Sequence, residues 1–186
     1  NEDSWPRVHI SPVTHDGEIA MNDFEKLVED CRASSSTKNI TNATIDHALV
    51  LFRALFKDAK EKGEDVRIVS GCLKPSFYEQ LVEQANELLS AGIKISVVVP
   101  QSHHLEDNAF AQLLKKHENG RLIKIPSSVE SHTPHFILVG SSRYRLEQDH
   151  EQCTATACFS NSIVGTFLLG LFNHLVTLAG RRPAGA

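Results

Sequence analysis

Histidine is the side chain best placed to act as nucleophile or proton carrier near neutral pH, and the chain has ten. His135 opens an apolar run, His135-Phe136-Ile137-Leu138-Val139, directly after Pro134. In that position an imidazole either faces a ligand or bonds a backbone carbonyl. Arg143, Arg145 and Glu147 follow at two-residue steps, which sets them side by side on one face of a strand. Such a row forms either a small anion site or a solvated, mutually paired face. Glu147 beside His135 would also make a carboxylate–imidazole base. His103, His104, His132 and His135 invite a metal. However, adjacent histidines point apart along a strand or loop, no carboxylate stands at helical ligand spacing, and neither Cys153 nor Cys158 completes a ligand motif. No metal is expected. Gly71-Cys72-Leu73-Lys74 lies between a strand and a helix, where α/β sheets bind anions. It lacks the glycines and the Lys-Ser/Thr pair of a phosphate loop, so Gly71 is read as a residue that lets the chain turn.

These residues need elements to hold them. Residues 17–33 carry Ile19, Met21, Phe24, Leu27, Val28 and Cys31 at the spacing of a short amphipathic helix. Thr44 caps a second, whose Ile45, Leu49, Phe52, Leu55, Phe56 and Ala59 form an apolar stripe ended by Gly63. The polar stretch 39–44 is read as the lead into that helix. Strands and helices then alternate: a strand over 66–70, a helix from Pro75 to Gly92, a β-branched strand over 93–99, a helix within 106–118 and a strand over 122–125. A loop over 126–134 leads to a hairpin of 135–139 with 143–147, then a strand over 154–159 and a final helix. The sum is an α/β domain with a mixed sheet flanked by helices, preceded by an arm and short helix over 1–40 and followed by a tail at 183–186.

Composition sets outer limits. Hydrophobic residues at 41% and charged residues at 23% suit a packed globular domain, and 186 residues suit one domain rather than two. A formal charge of −4 gives no global pull toward nucleic acid or anionic lipid. The first residues show no basic start followed by an apolar run, and the four cysteines show no paired spacing; a cytoplasmic protein with free thiols is expected. The apolar stretch Ile163–Gly180 approaches a membrane span in length, but Asn173 and His174 interrupt it and Ser160-Asn161-Ser162 opens it as a helix. It is read as a buried terminal helix rather than a membrane anchor.

The strand Val66–Ser70, the helix near Phe77-Tyr78, the Val97-Val98-Val99 strand, Pro134-His135-Phe136-Ile137-Leu138, and Phe159-Ser160-Asn161 before a terminal helix resemble one half-domain of the phospholipase D superfamily, over about residues 40 to 180. Catalytic members carry His-x-Lys-x4-Asp and a later Gly-Ser-x-Asn. The histidine attacks phosphorus while lysine and asparagine hold its oxygens, and two half-sites meet so that the second histidine protonates the leaving group. The resemblance therefore implies a phospholipase D-like fold, His135 and Asn161 as catalytic residues, Ser160 beside the ligand, no cofactor, and a homodimer. Here the lysine place is Ile137 and the aspartate place Ser142, so the motif is degenerate. The charged run Arg143 to Asp149 resembles versions in bacterial members of the superfamily.

An isoleucine cannot neutralise a phosphate oxygen, and losing that contact costs orders of magnitude in rate. The first reading is thus a catalytically degenerate domain that serves as a binding, sensing or assembly module for an anionic or phosphate-containing ligand, with Arg143, Arg145, Glu147 and Ser160 as ligand contacts. A homodimer also fits an apolar surface at Phe167, Leu168, Leu171 and Phe172. The alternative is a phosphodiesterase or nuclease that uses His135 and Asn161, with Arg143 or Arg145 replacing the lysine. Nucleic-acid binding without catalysis is a third reading, disfavoured by the acidic balance.

Overall fold

The structure, a computed structural model, describes residues 21–102, 105–126, 133–149 and 154–180. Helix α1 (Met21–Ala33) buries Phe24, Val28 and Cys31 against helix α2 (Ile45–Lys62), with the Phe24 ring stacked on His47 at 3.8 Å. The Thr44 hydroxyl accepts from the His47 N–H at 3.1 Å, and Gly63 takes the left-handed conformation (φ 65°) that ends α2. Only a residue without Cβ adopts that cap at little cost.

Between α1 and α2 lies a short strand, β1 (Ile40–Asn42), in what the sequence presents as a polar lead-in. Its alternation is too short to register as a strand, yet Ile40 and Asn42 both point inward. The remaining strands are β2 (Val66–Val69), β3 (Ile95–Pro100), β4 (Gly120–Ile125), β5 (Phe136–Val139), β6 (Arg143–Asp149) and β7 (Thr154–Cys158). They form one seven-stranded mixed sheet, in the order β1-β7-β6-β5-β2-β3-β4. Strands β2, β3 and β4 are parallel, and all other pairings are antiparallel. Strand β3 is internal and nearly continuously buried, as its β-branched run requires.

The helix expected from Pro75 to Gly92 is interrupted. Helix α3 (Pro75–Tyr78) passes through a 3-10 turn (Glu79–Leu81) into α4 (Val82–Ser90). Residues three apart eclipse in a 3-10 turn, so Tyr78 and Leu81 both reach the interior before the apolar stripe of α4 resumes. Helix α5 (Ala109–Lys116), capped by the Asn108 side chain on Ala111 N–H at 2.8 Å, completes this layer.

One face of the sheet packs under α1, α2, α4 and α5, with Ile68, Val97, Ile137 and Val139 turned toward them. The other carries helix α6 (Ser162–Gly180) over Val98, Ile123, Phe136 and Leu138. The sequence reading of α6 as a buried helix is corrected: Gly165, Leu168, Phe172 and Leu175 are buried, but Ile163 and Phe167 are 84% and 69% exposed. Of the four residues read as an apolar surface, Leu168 and Phe172 are spent on the sheet, and Phe167 faces outward. The helix is long and apolar enough to span a membrane, with 22% of the span buried in the fold.

Candidate functional site

The site lies at the C-terminal end of β2, where the sheet changes from parallel to antiparallel pairing. That is where open α/β sheets leave a crevice for ligands. Helix α2 contributes Ile45, Ala48 and Phe52 to its wall, and the segment after β2 contributes Ser70, Cys72, Lys74, Phe77 and Tyr78. His135, Arg145 and Glu147 close it from the sheet side.

The hairpin register explains why these three converge. Ile137 stands directly opposite Arg145, so His135 falls opposite Glu147, whose N–H donates to the His135 carbonyl at 2.9 Å. All four side chains share one face, as the two-residue period requires. The His135 Nδ1 lies 3.2 Å from Glu147 Oε1, which orients the ring and turns Nε2 toward Gly71. A Cβ on Gly71 would collide with Nε2 and stand 2.6 Å from Cε1. Gly71 shows no left-handed φ, so the reading of this glycine as a turn requirement is corrected: it is needed for the close approach of the ring.

Arg145 is 5% exposed. Its Nε donates to Asn42 Oδ1 at 3.0 Å, a guanidinium nitrogen lies 3.4 Å from Glu147 Oε2, and its carbon sits 5.9 Å from the Phe52 ring centre. The multiply bonded cation above the Phe52 ring is held in one geometry, a use to which arginine is better suited than lysine. Tyr78 is buried behind it. Desolvation pushes the phenol up to about 12, against the pull of the Ser70 hydroxyl and the Arg145 charge, so Tyr78 stays neutral throughout the physiological range. Ser70 in turn donates to the Cys72 carbonyl at 2.6 Å.

The other expected site residues lie elsewhere. Arg143 points to the same side of the sheet but at the far end of β6, where its Nε is 2.7 Å from Asp58 and its guanidinium also meets Glu64. Asp58 is fully buried and also carries Lys62 at 2.9 Å and Arg32 at 3.5 Å. Arg143 is thus engaged in that cluster and does not line the pocket. Asn161 Oδ1 accepts from the Val164 N–H at 3.1 Å, which caps α6, and its own N–H donates to the Ser142 carbonyl at 2.8 Å. Neither Asn161 nor Ser160 lines the pocket. Ile137, in the lysine place, is fully buried beneath the floor as part of the core. His103, His104, His132 and Cys153 lie outside the described residues. Among the described residues no cluster of three metal-ligating side chains occurs, and Cys31, Cys72 and Cys158 are free thiols.

Sequence reasoning missed Asn42, Phe52 and Tyr78 as parts of the site. Phe52 and Tyr78 look like ordinary core aromatics. Asn42 carried no signal, because β1 has no readable period. The pairing of Arg145 with Ile137 was accessible, since a tight turn at residues 140–142 fixes the hairpin register.

Comparison with known proteins gives the fold a context. No protein-family model matches the chain, and no curated protein matches it by sequence. Solved structures do match. A phospholipase D family member, Nuc from Salmonella typhimurium, aligns with a TM-score of 0.52 at 11% identity, over 76% of this chain and 96% of that one. TrmBL2, an archaeal chromatin protein described with a novel mode of DNA binding, aligns at 0.56 and 10%, over 82% of this chain and 59% of that one. Polyphosphate kinase from Porphyromonas gingivalis aligns at 0.56 and 16%, over 90% of this chain and 30% of the kinase. The chain thus has a phospholipase D-like fold and spans only part of the two larger proteins; identities this low speak to fold alone.

Proposed function

We propose that this is a catalytically degenerate phospholipase D-like domain that binds an anionic ligand in the His135–Arg145–Glu147 pocket without turning it over. The observation that carries this reading is the fate of the second cation. Where the resemblance calls for a lysine beside the histidine, Ile137 is buried under the floor, and the Arg145 guanidinium is tied to Asn42, Glu147 and the Phe52 ring. Charge stabilisation in a phosphoryl transition state needs donors aimed at the developing oxyanions. A guanidinium restrained by its own carboxylate is better suited to holding a ligand. The engagement of Asn161 in capping α6 supports the same view.

Turnover remains the second reading, because Arg145 stands directly across from Ile137 and brings a positive charge to the same face as His135. Purified protein offered bis(4-nitrophenyl) phosphate, single-stranded DNA and RNA is expected to release no product. Release that disappears in His135→Ala would overturn the proposal in favour of a phosphodiesterase. DNA binding of the kind named for the archaeal chromatin protein would show instead as affinity falling steeply with salt, which a net charge of −4 does not favour. The homodimer implied by the resemblance belongs to this proposal, and sedimentation equilibrium tests it: a monomer at micromolar concentration would remove that part.

A further inference from the structure

We infer that the pocket's ligand is a monoanion with a compact apolar body, an aryl or branched-chain carboxylate, rather than a phosphate ester. This inference rests on the binding reading above and goes beyond it in naming the ligand class. Three observations carry it.

The first is size. The cavity holds about 110 Å³. A dry apolar cavity of roughly 150 Å³ accommodates benzene, so the recess itself suits one ring or a short branched chain, and the body of a larger ligand would lie outside its open mouth. The second is the character of the walls. Phe52 and Phe77 meet edge to face at 5.1 Å and 85°, Phe77 meets Tyr78 at 5.2 Å, and Ile45 at the rim is 52% exposed. Aromatic walls of this kind offer an apolar ligand body a surface to pack against.

The third is the charge count. The fixed charges that line the pocket are Arg145 and Lys74 against Glu147, a surplus of one positive charge apart from the imidazole. Tyr78 stays neutral. A monoanion balances that surplus. A dianion brings a second negative charge into a confined space beside the Glu147 carboxylate, where like charges repel strongly at low dielectric. Arg145, held in place by Asn42 and Glu147, supplies a fixed positive charge at the polar end of the pocket. Lys74, on the rim and with no ion pair among the described residues, supplies a second contact to the ligand's carboxylate.

The test is titration calorimetry of the full chain at constant ionic strength with benzoate, phenylacetate and 4-methylpentanoate against phenyl phosphate, inorganic phosphate and the neutral 2-phenylethanol. At least one carboxylate is expected to bind ten-fold or more tightly than phenyl phosphate, and 2-phenylethanol to lose most of that affinity. Lys74→Gln, an exposed change that leaves the fold alone, is expected to weaken carboxylate binding several-fold, and Arg145→Met to abolish it. Phenyl phosphate binding as well as or better than every carboxylate, with dependence on Arg145 and Lys74, would sink the monoanion assignment but leave the binding reading standing. No saturable binding by any anion would sink both. Carboxylate binding unchanged in both variants would place it outside this pocket and overturn the inference.

Discussion

Gly71 and His135 form the tightest constraint in the site. Because any Cβ at position 71 meets the imidazole edge, Gly71→Ala is expected to displace the ring from Glu147 while leaving the backbone unstrained. The fold should survive, with unchanged far-ultraviolet circular dichroism, while the His135 ring resonances shift and anion binding falls about ten-fold. Retained resonances and affinity would show that the ring tolerates the extra carbon. Tyr78 offers a second residue-level check. Tyr78 is raised from 10 to about 12 and Tyr144 is raised as well, both chiefly by burial, and these are the only tyrosines in the chain. A phenol whose folded value exceeds its unfolded value contributes stability below pH 10 that is lost as pH rises through the folded value. Absorbance at 295 nm is therefore expected to show less phenolate at pH 10.5 in the native protein than in urea, with Tyr78 still neutral. At this scale the placement of His135, Arg145 and Glu147 on one face is legible because a strand's two-residue period is rigid. The position of Asn161 and Ser160 outside the pocket lining is not legible, because the order of motif residues along a chain does not say whether an asparagine turns to a ligand or caps the next helix.

The elements divide by how much of their pattern the sequence displays. Helices α2 and α5 and strands β2 to β5 are legible in type from their apolar residues, and β6 and β7 from the hairpin turn and the order of the elements around them. Strand β1 is not, since three residues cannot show a period. The break between α3 and α4 was also hidden, because apolar residues three and four apart fit a helix and a 3-10 turn alike. Helix α6 was legible as a helix, but not as one with an exposed apolar side: a sequence apolar all round does not say which face the sheet covers. Its cap separates two roles. Asn161→Ala is expected to lower unfolding stability by about 1 kcal/mol through loss of the Val164 contact. Anion affinity should be unchanged, measured by denaturant titration alongside calorimetry. A large loss of affinity at constant stability would place Asn161 at the ligand after all.

At the level of the whole molecule, one buried charge cluster ties together parts of the chain distant in sequence. Asp58 on α2 gathers Arg32 from α1, Lys62 from α2 and Arg143 from β6. Asp58→Ala would remove the buried carboxylate that Arg143, Arg32 and Lys62 share, leaving Arg143 with Glu64 and Arg32 with Glu29 and Glu61, and a broken buried pair costs up to about 3–5 kcal/mol. The midpoint of urea unfolding is expected to fall steeply; a shift under about 1 kcal/mol would mean that water replaces the carboxylate. The rim of this cluster behaves differently. Hydrogen bonding to Arg32 holds Glu29 down to about 2, so its contribution is present above the ordinary carboxylate range and fades as pH drops toward that value. Glu29 is half exposed, and solvent screening keeps that contribution small.

Helix α6 has no lysine, arginine, aspartate or glutamate along its 19 residues, yet it presents Ile163 and Phe167 to water. Colloidal behaviour should follow from that surface. Ammonium sulfate, which is excluded from protein surfaces and favours their mutual burial, is expected to drive association at concentrations where sodium chloride does not. Phe167→Lys should raise the sulfate concentration needed to precipitate the protein, as static light scattering would record. The domain would then be one whose solubility is governed less by titration than by the cohesion of the surrounding water.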